Sequence, residues 1–177
     1  MKKNISNETE LSLLKLGLYQ IAGGVIGILL ILWSIYKNQL FTGLVVFLYL
    51  IILLFYAYSI FCGAFCMQAK SNALLHSLIN QVLQFIGFTA LGFAFNYVAG
   101  VSLTIGINFT ESMKFDYGLG ISDFLLRFNM ESDKFIIDIN LVAFGIIYWI
   151  EKLRKNIKEE IEMRKISTIV YSIGNKE

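Results

Sequence analysis

The stretch Ala73-Leu-Leu-His-Ser-Leu-Ile-Asn-Gln-Val-Leu-Gln-Phe-Ile-Gly-Phe-Thr-Ala-Leu-Gly-Phe-Ala-Phe-Asn-Tyr-Val98 decides how this chain is read. Its length and apolar content suit a membrane-spanning helix. Its first half nonetheless carries His76, Asn80, Gln81 and Gln84. On a helix, Asn72, His76, Asn80 and Gln84 fall four apart along one drifting polar face, which Gly87 and Ala94 continue with small residues. Polar groups in a spanning helix turn towards other helices or a wet cavity. The sequence therefore predicts a helix that needs partners.

Working outwards, the 177 residues are 56% hydrophobic and only 16% charged, where a soluble domain is about a quarter charged. Charges gather near residue 1, in one loop and near residue 177. This distribution predicts a single membrane domain over 1–177. The chain has no proline, so no helix is expected to carry a proline kink. The expected fold is all-α, a bundle of four transmembrane helices at about 11–36, 40–65, 73–98 and 135–150. An outer loop at 99–134 and a charged tail at 151–177 complete it.

The first apolar run, Leu11 to Tyr36, exceeds a signal-peptide core of roughly 7–15 residues and is taken as an uncleaved span. Gly23 and Gly27 form a small-xxx-small pair that allows close helix packing. Trp33 and Tyr36 suit an interfacial belt. The short break Lys37-Asn38-Gln39 forces the second run, Leu40 to Phe65, back against the first.

In the loop, Val101, Leu103, Ile105 and Ile107 alternate with Ser102, Thr104, Gly106 and Asn108. Phe115, Tyr117, Leu119 and Ile121 repeat the pattern after a polar link. Two such runs read as a β-hairpin with one apolar face, against the alternative of an irregular loop. The fourth apolar run, Phe135 to Trp149, has Asp138 and Asn140 near its start and continues into a charged rod. There Ile150, Leu153, Ile157 and Ile161 recur at helical spacing, with Glu151–Lys155 and Glu160–Arg164 in the favourable i,i+4 order. The stripe suits either a membrane surface or a second copy.

With four spans and residue 1 inside, the inner segments hold eleven of the fifteen basic residues and the outer segments four. The positive-inside rule then places both termini in the cytoplasm and the 99–134 loop outside. Abundant Ile, Lys and Asn give the chain an AT-rich, bacterial look, so a bacterial cytoplasmic (inner) membrane is the expected location.

Chemistry is sparse. Cys62 and Cys66, at i,i+4 with His76 nearby, are expected to pack rather than bind metal, which needs a fuller ligand shell. Asp138 is expected to sit at the outer interface and cap the fourth helix. His76, Asn80, Gln81 and Gln84 are expected to fix helix register or to wall an inward vestibule. Glu111, Asp116, Asp123, Glu131 and Asp133 match no metal-loop spacing. No catalytic residue, cofactor, metal or nucleic-acid partner is expected. The expected function is a non-enzymatic interaction, accessory or regulatory subunit, oligomeric, in contact with lipid and with itself or another membrane protein. The competing expectation is an oligomeric pore, transporter or defence-type membrane effector.

Overall fold

The computed structural model describes residues 5–38, 43–110, 113–128 and 134–174. Helix α1 (Asn7–Asn38) starts where the Ser6 hydroxyl accepts the Thr9 N–H at 3.3 Å, a side-chain cap. It pairs with antiparallel α2 (Gly43–Met67). Both are long and apolar enough to cross a membrane, over Asn7–Lys37 and Gly43–Met67. Glycines set their spacing. A Cβ on Gly17 would lie 2.7 Å from Gly63 O, and one on Gly24 2.7 Å from Tyr56 O. Neither helix can gain a side chain there without moving the other backbone.

The third expected span is not one helix. Helix α3 (Ala73–Phe85) stops after thirteen residues. Strands β1 (Ile86–Ala90) and β2 (Phe93–Tyr97) follow as a tight hairpin. Its turn residues Leu91 and Gly92 take φ of 53° and 79°, the double positive φ that matches the twist of a two-residue hairpin. From Ile86 onwards, Gly87, Thr89, Ala94 and Asn96 alternate with Phe88, Phe93, Phe95 and Tyr97. That is a period of two, and it outweighs the run's total hydropathy.

The fourth expected span is also divided. Strand β6 (Ile136–Asn140) precedes α4 (Leu141–Gly174). With β3 (Val101–Asn108), β4 (Lys114–Ile121) and β5 (Phe124–Arg127), the strands form one antiparallel sheet in the order β4-β3-β6-β1-β2-β5. Among the described residues the molecule is therefore four helices with a six-stranded sheet, not an all-α four-span bundle, and α1 and α2 are the two helices both long and apolar enough to span a membrane. The described segments within 99–134 supply β3, β4 and β5 of this sheet instead of a separate outer loop.

Strands β2 and β3 continue one another, as do β4 and β5, so two long strands pair and bend together. Three residues, Val98 to Gly100, oppose two, Ser122 and Asp123, which makes the corner a bulge. Gly100 (φ 120°) and Ser122 (φ 44°) take left-handed conformations to make it. Val98 N donates to Asp123 O at 2.8 Å, and Ser122 N to Gly100 O at 2.7 Å. The Ser122 hydroxyl accepts the Gly100 N–H and donates to Gly23 O of α1, each at 3.0 Å.

Cross-strand register gives the sheet two unlike faces. One carries Leu103, Ile105, Ile137, Ile139, Phe88, Phe95, Tyr97 and Phe124. The other carries Ser102, Thr104, Gly106, Asp138, Gly87, Thr89 and Asn96. The polar face is the more buried. Ser102 and Thr89 are buried, while Phe115, Tyr117 and Leu119 of β4 are 68%, 86% and 82% exposed. The β2–β5 end of the apolar face is covered by α2, where Phe55 lies 5.0 Å from the Tyr97 ring and 5.8 Å from Phe124.

Helix α4 is capped by Asn140, whose Oδ1 accepts the N–H groups of Val142 and Ala143 at 3.1 and 3.3 Å. Its stripe residues Ile150, Leu153 and Ile157 are buried against Leu13, Leu16 and Leu74, and Ile161 is partly buried beside them, so the stripe packs chiefly within the chain. The charged rod is tied back to α1. Glu160 accepts the Ser6 N–H at 2.8 Å and the Ser6 and Thr9 hydroxyls at 2.7 Å each. Burial opposes ionisation of Glu160, but these bonds outweigh it and lower its pKa. Glu151 pairs with Arg154 at 2.6 Å and Lys155 with Glu159 at 3.9 Å, so the expected Glu151–Lys155 pairing is exchanged for these two, while the Arg164 charge helps to lower the Glu160 pKa. Residues 175–177 of the expected tail lie outside the described residues.

Two glycine substitutions should diverge. A Cβ on Gly23 would lie 2.5 Å from the Ala99 carbonyl and Gly100 N, so Gly23→Val should destabilise by about 3 kcal/mol or more. Gly145, inside α4, has no atom within 4 Å of such a Cβ, and Gly145→Ala should stabilise by about 1 kcal/mol. Thermal unfolding in detergent distinguishes them, and equal effects would refute this account of the corner.

Candidate functional site

The inward face of α3 is a polar seam. Ser77, Asn80, Gln81 and Gln84 are all buried there. Ser77, Asn80 and Gln84 reach α1, α2, β2 and the sheet corner, because α3 lies between α2 and α4 and ends under that corner. The Ser77 hydroxyl donates to Gln20 Oε1 of α1 at 3.1 Å and contacts Cys66 Sγ of α2 at 3.1 Å. Asn80 Nδ2 donates to Ser59 Oγ of α2 at 3.2 Å, and that hydroxyl donates to Gln20 O at 3.0 Å. The Tyr97 hydroxyl of β2 shares its proton between Phe55 O at 2.9 Å and Asn80 Oδ1 at 3.2 Å. Gln84 Oε1 accepts the Ala99 N–H at 2.8 Å, supplying a partner that the bent strand lacks.

Sequence spacing grouped His76 with Asn80 and Gln84, and the structure separates it. His76 is half-buried beside α2 with Tyr58, Phe61 and Phe65 edge-on to its ring at 5.7–6.2 Å. Its Nδ1 lies 3.3 Å from the Tyr58 hydroxyl. The Cys62 thiol donates to His76 O at 3.4 Å, and Cys62 and Cys66 are both free and buried. Gln20, Ser59, Ser77 and Tyr97, which complete the seam, were not singled out by spacing. The signal for Gln20 and Ser59 was their polarity inside otherwise apolar runs.

Not every amide is satisfied. Gln20 Nε2, Gln84 Nε2 and both amide atoms of Gln81 are buried without a hydrogen-bond partner. Such groups carry a desolvation cost of about 1–3 kcal/mol.

Gly23 and Gly27 also separate. Gly27 faces the Tyr56 ring of α2, whereas Gly23 faces the sheet corner. Asp138 does not cap a helix. It lies on β6 between Gly87 of β1 and Gly106 of β3, and a Cβ on Gly106 would come within 2.5 Å of its Oδ1. Burial, then the neighbouring Asp116 carboxylate, raise its pKa. The two acids and Thr104 line a small polar recess of about 70 Å³. Of the other acids, Glu111, Glu131 and Asp133 lie outside the described residues. Among the described residues no three His, Cys, Asp or Glu side chains gather as a metal shell.

No protein-family model, curated protein or solved structure matches this chain.

Two predictions follow the seam and the acid. Asn80→Leu removes two buried hydrogen bonds, to the Ser59 and Tyr97 hydroxyls, and should destabilise by about 1–3 kcal/mol, whereas Gln81→Met removes an unpaired amide and should stabilise. Denaturation of the two variants side by side checks the opposite signs. For Asp138 the raised folded pKa means that the native state holds its proton more tightly than the unfolded chain. Stability therefore falls as pH rises from the ordinary carboxylate pKa of about 4 through the raised value. Asp138→Asn should be the more stable protein at pH 7 and match the wild type near pH 3. A pH-independent difference would defeat this assignment.

Proposed function

We propose that this is a two-span membrane protein with a non-enzymatic role, an interaction or accessory subunit whose sheet is its association surface. The observation that supports this reading is the outward apolar face of the sheet, with Phe115, Tyr117 and Leu119 largely exposed. Exposed Leu29, Leu32, Trp33, Leu50 and Leu54 on α1 and α2 add to it. Monomers in water rarely leave so much apolar surface uncovered. Lipid covers the helices, and a second copy or another membrane protein covers the β3–β4 half of the sheet.

With two crossings, residues 5–16 and everything after Met67 share one side. Lys37 is then the one basic residue among the described residues at the far end, against fifteen Lys and Arg in the chain. The positive-inside rule makes the side that holds the charged half of α4 cytoplasmic. The pore or transporter reading loses support because the polar seam of α3 is largely consumed by bonds to α1, α2 and β2.

On this reading the wild type stays in the membrane after an alkaline carbonate wash and exceeds its 20.1 kDa monomer mass in detergent. The double change Tyr117→Asp/Leu119→Asp should remain in the membrane but run as a monomer. A monomeric wild type would remove the association role. Labelling of Lys165→Cys but not Tyr36→Cys by an impermeant thiol reagent in intact cells would reverse the orientation.

A further inference from the structure

Between the first turn of α3 and the charged half of α4 lies a groove of about 570 Å³, within the roughly 300–1,000 Å³ range of ligand sites. Leu74, Leu75, Ile157 and Ile161 form its apolar wall. Arg154, Lys158 and Lys165 open onto it, with Glu162 as its one acid. Arg154 is held by Glu151 at 2.6 Å, but Lys158 and Lys165 have no carboxylate partner among the described residues. The N-cap residue Asn72 makes no side-chain cap bond and also borders the groove.

An apolar track leads away from these cations. Leu75, Ile79 and Val82 are 48%, 43% and 54% exposed and share the outer face of α3, and Ile86, 46% exposed, follows them as the first residue of β1. From Leu75 to Ile86 a helical rise of about 1.5 Å per residue gives roughly 16 Å. Half of a bilayer's hydrocarbon thickness is about 15 Å. A cationic, partly apolar pocket followed by one leaflet's depth of exposed aliphatic surface matches a two-part ligand.

We infer that this groove binds the headgroup of an anionic phospholipid, whose acyl chains lie along the Leu75–Ile86 face. The assignment rests on the membrane reading above, and it gives that reading a specific lipid. Lys158 and Lys165 supply point charges to a phosphate, and the partly neutralised Arg154 adds directional donors. Zwitterionic lipid offers the same chains without the net charge.

The test uses the full chain in neutral detergent, titrated with phosphatidylglycerol, phosphatidylcholine or inorganic phosphate and read by thermal unfolding and native mass spectrometry. Phosphatidylglycerol should bind at least about tenfold more tightly than phosphatidylcholine, and inorganic phosphate should leave Tm unmoved. Lys158→Glu/Lys165→Glu should weaken phosphatidylglycerol about 30-fold, while Lys152→Glu, outside the groove, should retain it. If the charge reversal does not fold, Lys158→Gln/Lys165→Gln serves with a smaller loss. Equal binding of the two lipids, or a double variant that binds like the wild type, would overturn the site. A full shift with inorganic phosphate alone would replace the lipid with a soluble anion. Release of the wild type by alkaline carbonate would defeat the membrane reading itself, whereas a retained protein without lipid preference defeats only the groove.

Discussion

A strand that turns a corner leaves amide groups off its ladder, and this molecule is held together by how those groups are met. At Val98 to Gly100 every N–H has a partner: Asp123 O, Gln84 Oε1 and Ser122 Oγ in turn. The Ser122 hydroxyl then passes its own proton to Gly23 O. One bend thus joins the sheet to α3 and to α1. It works only because Gly23 lets the two backbones touch. A helix carbonyl that accepts an outside hydroxyl is shared, so the contact sits at a point where α1 has no side chain in the way. Close approach and hydrogen bonding are the same requirement here.

The corner also sets which way the sheet faces. With Tyr97 and Phe124 turned onto Phe55 and Tyr56, the whole aromatic face must point to the α1–α2 side, and small polar residues must fill the other. Glycine makes that polar face compact. Gly87 and Gly106 give up their side chains so that Asn96 and Asp138 can lie across the sheet. An apolar face that leans on helices at one end and is open at the other is not completed by this chain alone. On the function proposed above, lipid or another protein covers the open end, and each Å² of apolar surface it removes from water is worth about 25 cal/mol.

Much of this was legible in the sequence, but through period more than hydropathy. The α1–α2 pair, the β3–β4 alternation and the α4 stripe all follow from spacing that appears in the residues themselves. The segment Ile86 to Tyr97 carried the same period-two signal, yet its aromatic content lets it pass as a spanning helix when summed over length. The Leu91-Gly92 turn was hidden because leucine rarely takes positive φ, and here it does so at 91% exposure. Asn140 rather than Asp138 caps α4 because strand β6 takes the first part of the apolar run, through Asn140 itself. The seam was half visible. Asn80 and Gln84 stood out by spacing, but their partners Ser59, Tyr97 and Ala99 come from elements whose pairing no local pattern encodes.

The change from helix to strand at Ile86 has the widest consequence. Had α3 continued to Val98, it would have carried the sheet residues across the membrane and made the polar seam a lipid-depth ribbon. Ending at Phe85, α3 instead presents two faces with different demands. Its inner face spends Ser77, Asn80 and Gln84 on bonds to three other elements. Its outer face exposes Leu75, Ile79 and Val82. A thirteen-residue helix is marginal by itself in water. It is held by the first set and offers the second, so the residues that fix α3 in place are also those that aim its apolar face outwards.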